Sequence, residues 1–195
     1  MKKLITLIFA IIIAFPIIAG TKLISGDLSK LPGAKAIPVF VNWDNAVYGN
    51  SGALADFLST SIRDDNWEKV SLDYLLTRTN AQTVEYGVRL TSPQDTTSYK
   101  YKMEILVQSI SKDGTIQGII NIISIDPSET IASIEFKSDD ADNNDKIAFR
   151  DQFKSLGKSL GKLMTSQFKN NKDIKTESSK KRRERPADDY NPLYN

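Results

Sequence analysis

The stretch YKYKMEILVQSISKDGTIQGIINIISIDPSETIASIEFK, Tyr99–Lys137, decides the fold. It divides into three apolar-rich runs, 99–110, 115–125 and 130–137, separated by Lys112-Asp113-Gly114 and by Asp126-Pro127-Ser128-Glu129. Breaks this short leave no room for crossover helices and carry the Asp-Gly and Pro chemistry of turns, so the runs read as an antiparallel meander. The middle run holds Ile119, Ile120, Ile122, Ile123 and Ile125 with little alternation, which predicts a central strand covered on both faces.

Downstream, Phe149, Phe153, Leu156, Leu160, Leu163 and Met164 recur at three- and four-residue spacing, with Lys154, Lys158, Lys162 and Lys169 on or beside the opposite face. That is one amphipathic helix, expected from about Lys146 to Phe168. Upstream, Ile37, Val39, Val41 and Trp43 share one side of a strand whose other side carries Phe40, while Pro38 limits pairing at its start. A helix with Leu54, Phe57, Leu58 and Ile62, capped by Ser51, is expected next. A second follows with Trp67, Val70, Tyr74 and Leu75, ending near Thr79 and Asn80. Val84, Tyr86, Val88 and Leu90 then alternate with polar residues and Gly87, which predicts a half-buried strand. The architecture expected is α+β or α/β: a single mixed, largely antiparallel sheet of four or five strands, helices packed on one face, and a long C-terminal helix.

The ends of the chain differ from this body. Lys2 and Lys3 precede an apolar run from Leu4 to Phe15, broken by Pro16 and closing on Ala19 and Gly20, the pattern of a secretory signal peptide. An N-terminal membrane anchor is the minor alternative, since the run is short for a span of about 20 residues. Residues 1–20 are therefore read as signal, 21–35 as linker or edge segment, 36–170 as the domain, and 171–195 as a disordered basic and polar tail. The location implied is periplasmic or secreted. With no cysteine among 195 residues there is no lipobox and no disulfide, so stability rests on core burial. The formal charge of +2 includes Lys2 and Lys3. Without them the chain is neutral, and nothing in its charge points to nucleic acid.

Catalysis has few candidates here. The absence of histidine and cysteine removes imidazole bases, serine and cysteine triads and the usual zinc ligand sets. Ser155-Leu156-Gly157-Lys158 and Ser159-Leu160-Gly161-Lys162 match the Ser-x-x-Lys spacing of acylating enzymes, but the companion motifs are missing and both copies lie deep inside one helix. The same tandem places Gly157 and Gly161 one turn apart, which favours close packing against another element. Asp140 to Asp145, with Asp151 twelfth, begins like a calcium loop yet has Asp145 where glycine is required. No cofactor is expected. Lys180, Lys181, Arg182 and Arg183 form a basic run suited to weak contact with an anionic membrane surface. Tyr99 and Tyr101, two apart on one strand, are the aromatic pair read as a ligand-contact face.

The motifs Ile24-Ser25-Gly26-Asp27-Leu28-Ser29 and Val39-Phe40-Val41-Asn42-Trp43-Asp44, with the run from Tyr101 to Ile125 and the helix around Leu156-Gly157-Lys158, resemble a group of uncharacterised exported Bacteroidales proteins. More remotely, that group resembles the α/β domains of cell-envelope accessory proteins, such as the N-terminal domain of the Tol-system propeller protein and the curli secretion lipoprotein. The resemblance implies a non-catalytic envelope module that binds another envelope protein, and it carries over no site residues. The alternatives are a glycan- or lipid-binding periplasmic domain and, behind it, a Ser/Lys hydrolase.

Overall fold

The computed structural model describes residues 19–49, 52–54, 66–95, 98–139 and 148–169. Its elements are β1 (Gly20–Gly26), β2 (Lys35–Asn42), β3 (Val47–Tyr48), β4 (Gly52–Ala53), α1 (Trp67–Thr83), β5 (Val88–Thr91), β6 (Tyr101–Ile110), β7 (Ile116–Ser124), β8 (Glu129–Lys137) and α2 (Ala148–Lys169). The sheet runs β1-β8-β7-β6-β2-β5, with the two-residue β3 and β4 off that path. The mixed sheet and the long second helix match expectation, but the strand count exceeds the four or five expected.

The meander β6-β7-β8 is antiparallel throughout, with Ile105 opposite Ile120 and Ile120 opposite Ile134. Its alternation sends Met103, Ile105, Ile120, Ile122, Ile134 and Phe136 to one face, where all are fully buried. β1 adds antiparallel to β8, and β2 and β5 add in parallel on the other side. Residues 21–26, expected as part of a linker or edge segment, are thus, together with Gly20, the outer strand of the sheet. Leu28 and Leu31, just beyond it, are fully buried.

Both helices lie on the Met103 face. The predicted stripe of α2 is buried through Phe149, Phe153, Leu156, Leu160 and Met164, with Leu163 half-buried, and extends to Phe168. The stripe of α1 differs from expectation. Its buried residues are Ser71, Leu75, Thr79 and Thr83, whereas Trp67, Val70 and Tyr74 are only half-buried. Small side chains face α2 because the helices touch there: a Cβ on Gly157 would lie 2.6 Å from the Leu75 carbonyl oxygen. The Thr79 hydroxyl lies within donating distance of the carbonyls of Leu75, at 2.9 Å, and Gly157, at 3.1 Å. Bonding of this kind lets hydroxyls be buried without loss of partners. The tight-packing role read for Gly157 and Gly161 is therefore what the helix pair uses.

A second departure follows directly. α1 does not stop at Asn80 but continues to Thr83, then through a 3₁₀ turn at Val84–Tyr86 to Gly87 at φ 70°, so β5 begins only at Val88. Asn80 is held inside the helix by tertiary contacts. Its carboxamide nitrogen donates to the Leu90 carbonyl at 2.8 Å and its oxygen accepts from the Leu90 N–H at 2.7 Å. Those are the bonds a neighbouring strand would make, and they close the outer edge of β5 at that point.

The two faces of β7 are buried to different extents. Among the described residues both helices pack on the Met103 face, and no element packs on the other, where Leu106, Ile119 and Ile123 are half-buried. A cross-strand mixture of Lys102, Glu104, Asn121, Ser133 and Glu135 surrounds them, including a 2.8 Å bond from Ser133 to Asn121. Among the described residues no helix is long and apolar enough to cross a membrane. The apolar segment Leu4–Phe15, the Ser51 cap, most of the helix expected over 54–62, and the tail from Asn170 lie outside them.

Candidate groove on the open sheet face

β2 divides its pairing between two neighbours. Lys35–Pro38 pair with β5, and Val39–Asn42 pair with β6. β5 ends at Thr91, opposite Pro38, and the 3₁₀ turn Pro93–Asp95 that follows it lies against β2. The chain then leaves the sheet at Trp43, whose indole turns toward the helices. Its ring lies 5.1 Å from Trp67, edge-on, 5.2 Å from Phe149 and 5.7 Å from Phe153. Aromatic contacts of this geometry contribute about 0.5–1.5 kcal/mol each beyond their buried area. This cluster ties the end of β2 to the first turns of both helices.

A shallow groove of about 550 Å³ follows from that arrangement, lined by Phe40, Val41, Asn42, Trp43, Asp44, Glu68, Tyr99, Lys102, Glu104 and Leu106. Five consecutive residues of β2 and its exit form one wall, and the outward side chains of β6 form the floor. Phe40 is 37% exposed, a large apolar side chain at the lip. Lys102 and Glu104 pair at 2.5 Å. Among the described residues Asp44 and Glu68 form no ion pair, so the groove carries an excess of negative charge. The Asn42 side chain accepts from the Asp44 N–H at 2.8 Å, fixing the turn that carries this carboxylate.

The structure separates the expected tyrosine pair. Tyr99 is half-buried and lines the groove, whereas Tyr101 points to the helix side of the sheet and is 6% exposed. Two-residue spacing puts side chains on one face only within a strand, and β6 begins at Tyr101, after Tyr99. Phe40, Asp44, Glu68 and Leu106, which sequence patterning left unassigned as a site, join Tyr99 only because β2, α1 and β6 converge there. Lys180, Lys181, Arg182 and Arg183 lie outside the described residues.

Neither serine of the Ser-x-x-Lys tandem addresses a lysine. Ser155 donates to the Asp139 carboxylate and Ser159 to the Leu156 carbonyl, at 3.0 Å, while Lys158 and Lys162 are exposed. Among the described residues no group of three or more acidic side chains is placed to hold a metal, and the Asp140–Asp145 loop lies outside them. Two carboxylates are held below their usual range by side-chain hydrogen bonds: Asp27 by Ser29 and Asp113 by Ser111. Both stabilise turns remote from the groove. Burial pushes the Tyr86 hydroxyl up, beside its ring contact with Phe168 at 5.4 Å.

No protein-family model and no curated protein matches the chain. Among solved structures it is similar to the PelC dodecamer from Paraburkholderia phytofirmans, at 11% identity and a TM-score of 0.42, covering 72% of this chain and 94% of that one. It is also similar to a DUF330 protein from Xanthomonas campestris, at 13% identity and a TM-score of 0.26, covering 75% and 90%. At these values the likeness transfers no site, ligand or assembly. These matches do not show the resemblance to exported Bacteroidales proteins, the Tol-system domain or the curli lipoprotein.

Proposed function

We propose that this protein is a non-catalytic binding module of the cell envelope, and that it engages another envelope protein through the groove and the open sheet face around it. The observation that carries the proposal is the groove itself. Phe40, Tyr99 and Leu106 offer apolar contact on a face that no described element covers, and carboxylates at the rim supply direction. An aromatic anchor surrounded by polar groups is the usual composition of a small recognition surface. The envelope location rests on the signal-like segment Lys2–Gly20. Support for a non-catalytic role comes from the Ser155 and Ser159 hydroxyls, which are engaged away from Lys158 and Lys162.

The test is affinity capture after mild crosslinking in intact cells, comparing the natural chain with Phe40→Ser plus Leu106→Ser. A discrete envelope protein captured by the first and lost with the second is the expected result. Equal capture by both contradicts the assignment of the surface. One observation favours a second reading, a glycan ligand: Tyr99 and Phe40 share the groove with Asn42 and Asp44, and ring stacking with amide and carboxylate bonding suits sugar hydroxyls. Saturation-transfer signals from an envelope oligosaccharide that vanish in Tyr99→Ala, with no protein captured, would replace the first reading.

A further inference from the structure

We propose that the outer face of the helix layer, where α2 carries Lys154, Lys158, Lys162 and Lys169 beside Arg78 of α1, docks on an anionic lipid bilayer. This goes beyond the groove reading and does not rest on it, because the outer face of the helices and the open face of the sheet look in opposite directions.

The cations gather on one side and lack counter-charges. At about 100° per residue, Lys154, Lys158, Lys162 and Lys169 fall within an arc of about 80° on α2, over about 22 Å of its length. Arg78, Lys158, Lys162 and Lys169 are exposed, and Lys154 is partly so. From Gln152 to Lys169 α2 has no acidic residue, and neither has α1 from Tyr74 to Thr83. The acids of this layer, Glu68, Asp73, Glu85 and Asp151, come from the first two turns of the helices and from the turn after α1. Asp151 meets Arg150 at 3.6 Å and Lys154 at 3.9 Å. Among the described residues Arg78, Lys158, Lys162 and Lys169 form no ion pair.

The face is also level. Gly157 and Gly161 let the helices close up, so that a Cβ on Gly157 would lie 3.0 Å from the Arg78 Cβ, and the Gln82 carboxamide donates to the Lys158 carbonyl at 3.1 Å. Arg78 is thereby set beside the lysine row. The residues between the lysines include the small Ser155, Ser159 and Ser166, while Phe153 and Phe168 are buried, so no aromatic ring of α2 stands on this face. A strand-like polyanion is held in a groove with rings that stack on it. A level cationic surface without rings fits a plane of lipid headgroups instead.

Such a face opposes helix formation unless something neutralises it. Like charges four residues apart repel, and Lys154 with Lys158, and Lys158 with Lys162, are both such pairs. An anionic surface relieves that repulsion. Each lysine or arginine close to such a surface strengthens binding about fivefold. A level face brings all five cations within the screening length of about 10 Å at 0.1 M salt together. The signal-like segment Lys2–Gly20 directs the chain to a compartment bounded by membrane. Docked in this way, the molecule turns its open sheet face and groove away from the bilayer, where a partner protein reaches them.

The experiment is co-sedimentation of the exported chain, freed of the leader Met1–Gly20, with vesicles of equal parts phosphatidylglycerol and phosphatidylcholine. Binding to these and not to phosphatidylcholine alone is expected, with release as salt rises toward 1 M, where the screening length falls to about 3 Å. Lys158→Gln plus Lys162→Gln should weaken the partition about 25-fold, fivefold for each cation removed. Glutamine keeps the helix propensity of lysine, so the denaturation midpoint should hold or rise. Lys180→Gln plus Lys181→Gln tests the basic run at the C-terminus and should cost less than the α2 pair. Because the natural chain lacks cysteine, a fluorophore on Ser166→Cys or Glu135→Cys reports orientation with the natural lysines in place. Lipids with a nitroxide headgroup should quench it at 166 and spare it at 135, on the open face. No binding to anionic vesicles, equal binding to neutral ones, undiminished binding of the α2 pair, or quenching at 135 overturns the proposal. Capture of an acidic protein through the lysine face, without vesicle binding, overturns it too. Partner capture lost with Phe40→Ser plus Leu106→Ser is read separately, so either surface can fail without the other.

Discussion

On the helix-covered face of the sheet Met103, Ile105, Ile120, Ile122, Ile134 and Phe136 are fully buried; on the reverse of the same strands Lys102, Glu104, Asn121, Ser133 and Glu135 stand among half-buried Leu106, Ile119 and Ile123. Each strand thus contributes to two surfaces of opposite design. The covered face is uniform and close-packed, and its contacts extend to backbone level where Gly157 meets Leu75. The open face is a mixture, with enough apolar area to bind and enough charge to remain soluble. Substitutions on the first should cost stability and spare recognition, and those on the second should do the reverse.

The largest effect is expected at Phe153, fully buried and in contact with Trp43. Phe153→Ala should lower unfolding free energy by about 3–5 kcal/mol, measured by urea titration. Gly157→Val comes next. Its new Cβ would meet the Leu75 carbonyl oxygen at 2.6 Å and the Leu75 Cα at 3.0 Å, so the helices must part, at a cost of about 1–3 kcal/mol. Were Gly157→Val to leave the denaturation midpoint unchanged, the close approach of α1 and α2 would be wrong.

On the open face, Phe40→Ser should cost about 1–2 kcal/mol, well below Phe153→Ala, because over a third of Phe40 is already exposed. It should nonetheless abolish partner capture, which is the contrast the two faces imply. A loss of several kcal/mol would mean that the face is part of the core.

The smallest effect is pH-dependent. The folded-state pKa values of Asp27 and Asp113 lie below the ordinary 3.8, so the stability they contribute is full above that value and is lost as pH falls through the lower, folded values. Asp113→Asn should flatten the acid limb of the stability curve slightly and leave the curve near neutrality almost unchanged. A shift at neutral pH instead would assign Asp113 another role.

What the sequence disclosed follows the same division. Short turn-forming breaks between apolar runs made the meander legible, and three- and four-residue spacing made the α2 stripe legible, because Ile120, Phe153 and Leu160 announce burial by composition. The contact face of α1 was hidden, since Ser71, Thr79 and Thr83 read as polar, although all three are buried and the Thr79 and Thr83 hydroxyls meet carbonyls. The end of α1 was misplaced because Asn80, a frequent terminator, is held in the helix by Leu90, a contact that tertiary structure alone reveals. β1 carries too little apolar content to declare itself; its place is set by the ladder with β8. Of the groove, Tyr99 was legible as an aromatic candidate. Phe40 and Asp44, Glu68, and Leu106 come from three places along the chain, and no local pattern joins them.

The most direct test of the claim that the open face is the recognition surface is a photocrosslinking scan in living cells. A photoreactive residue would replace Phe40, Leu106 or Ile123 on that face, or Val84, which is 59% exposed at a remote turn. A discrete protein adduct is expected from Phe40 and Leu106, weaker from Ile123 and absent from Val84. Adducts of equal yield from all four positions, or from Val84 alone, would contradict it.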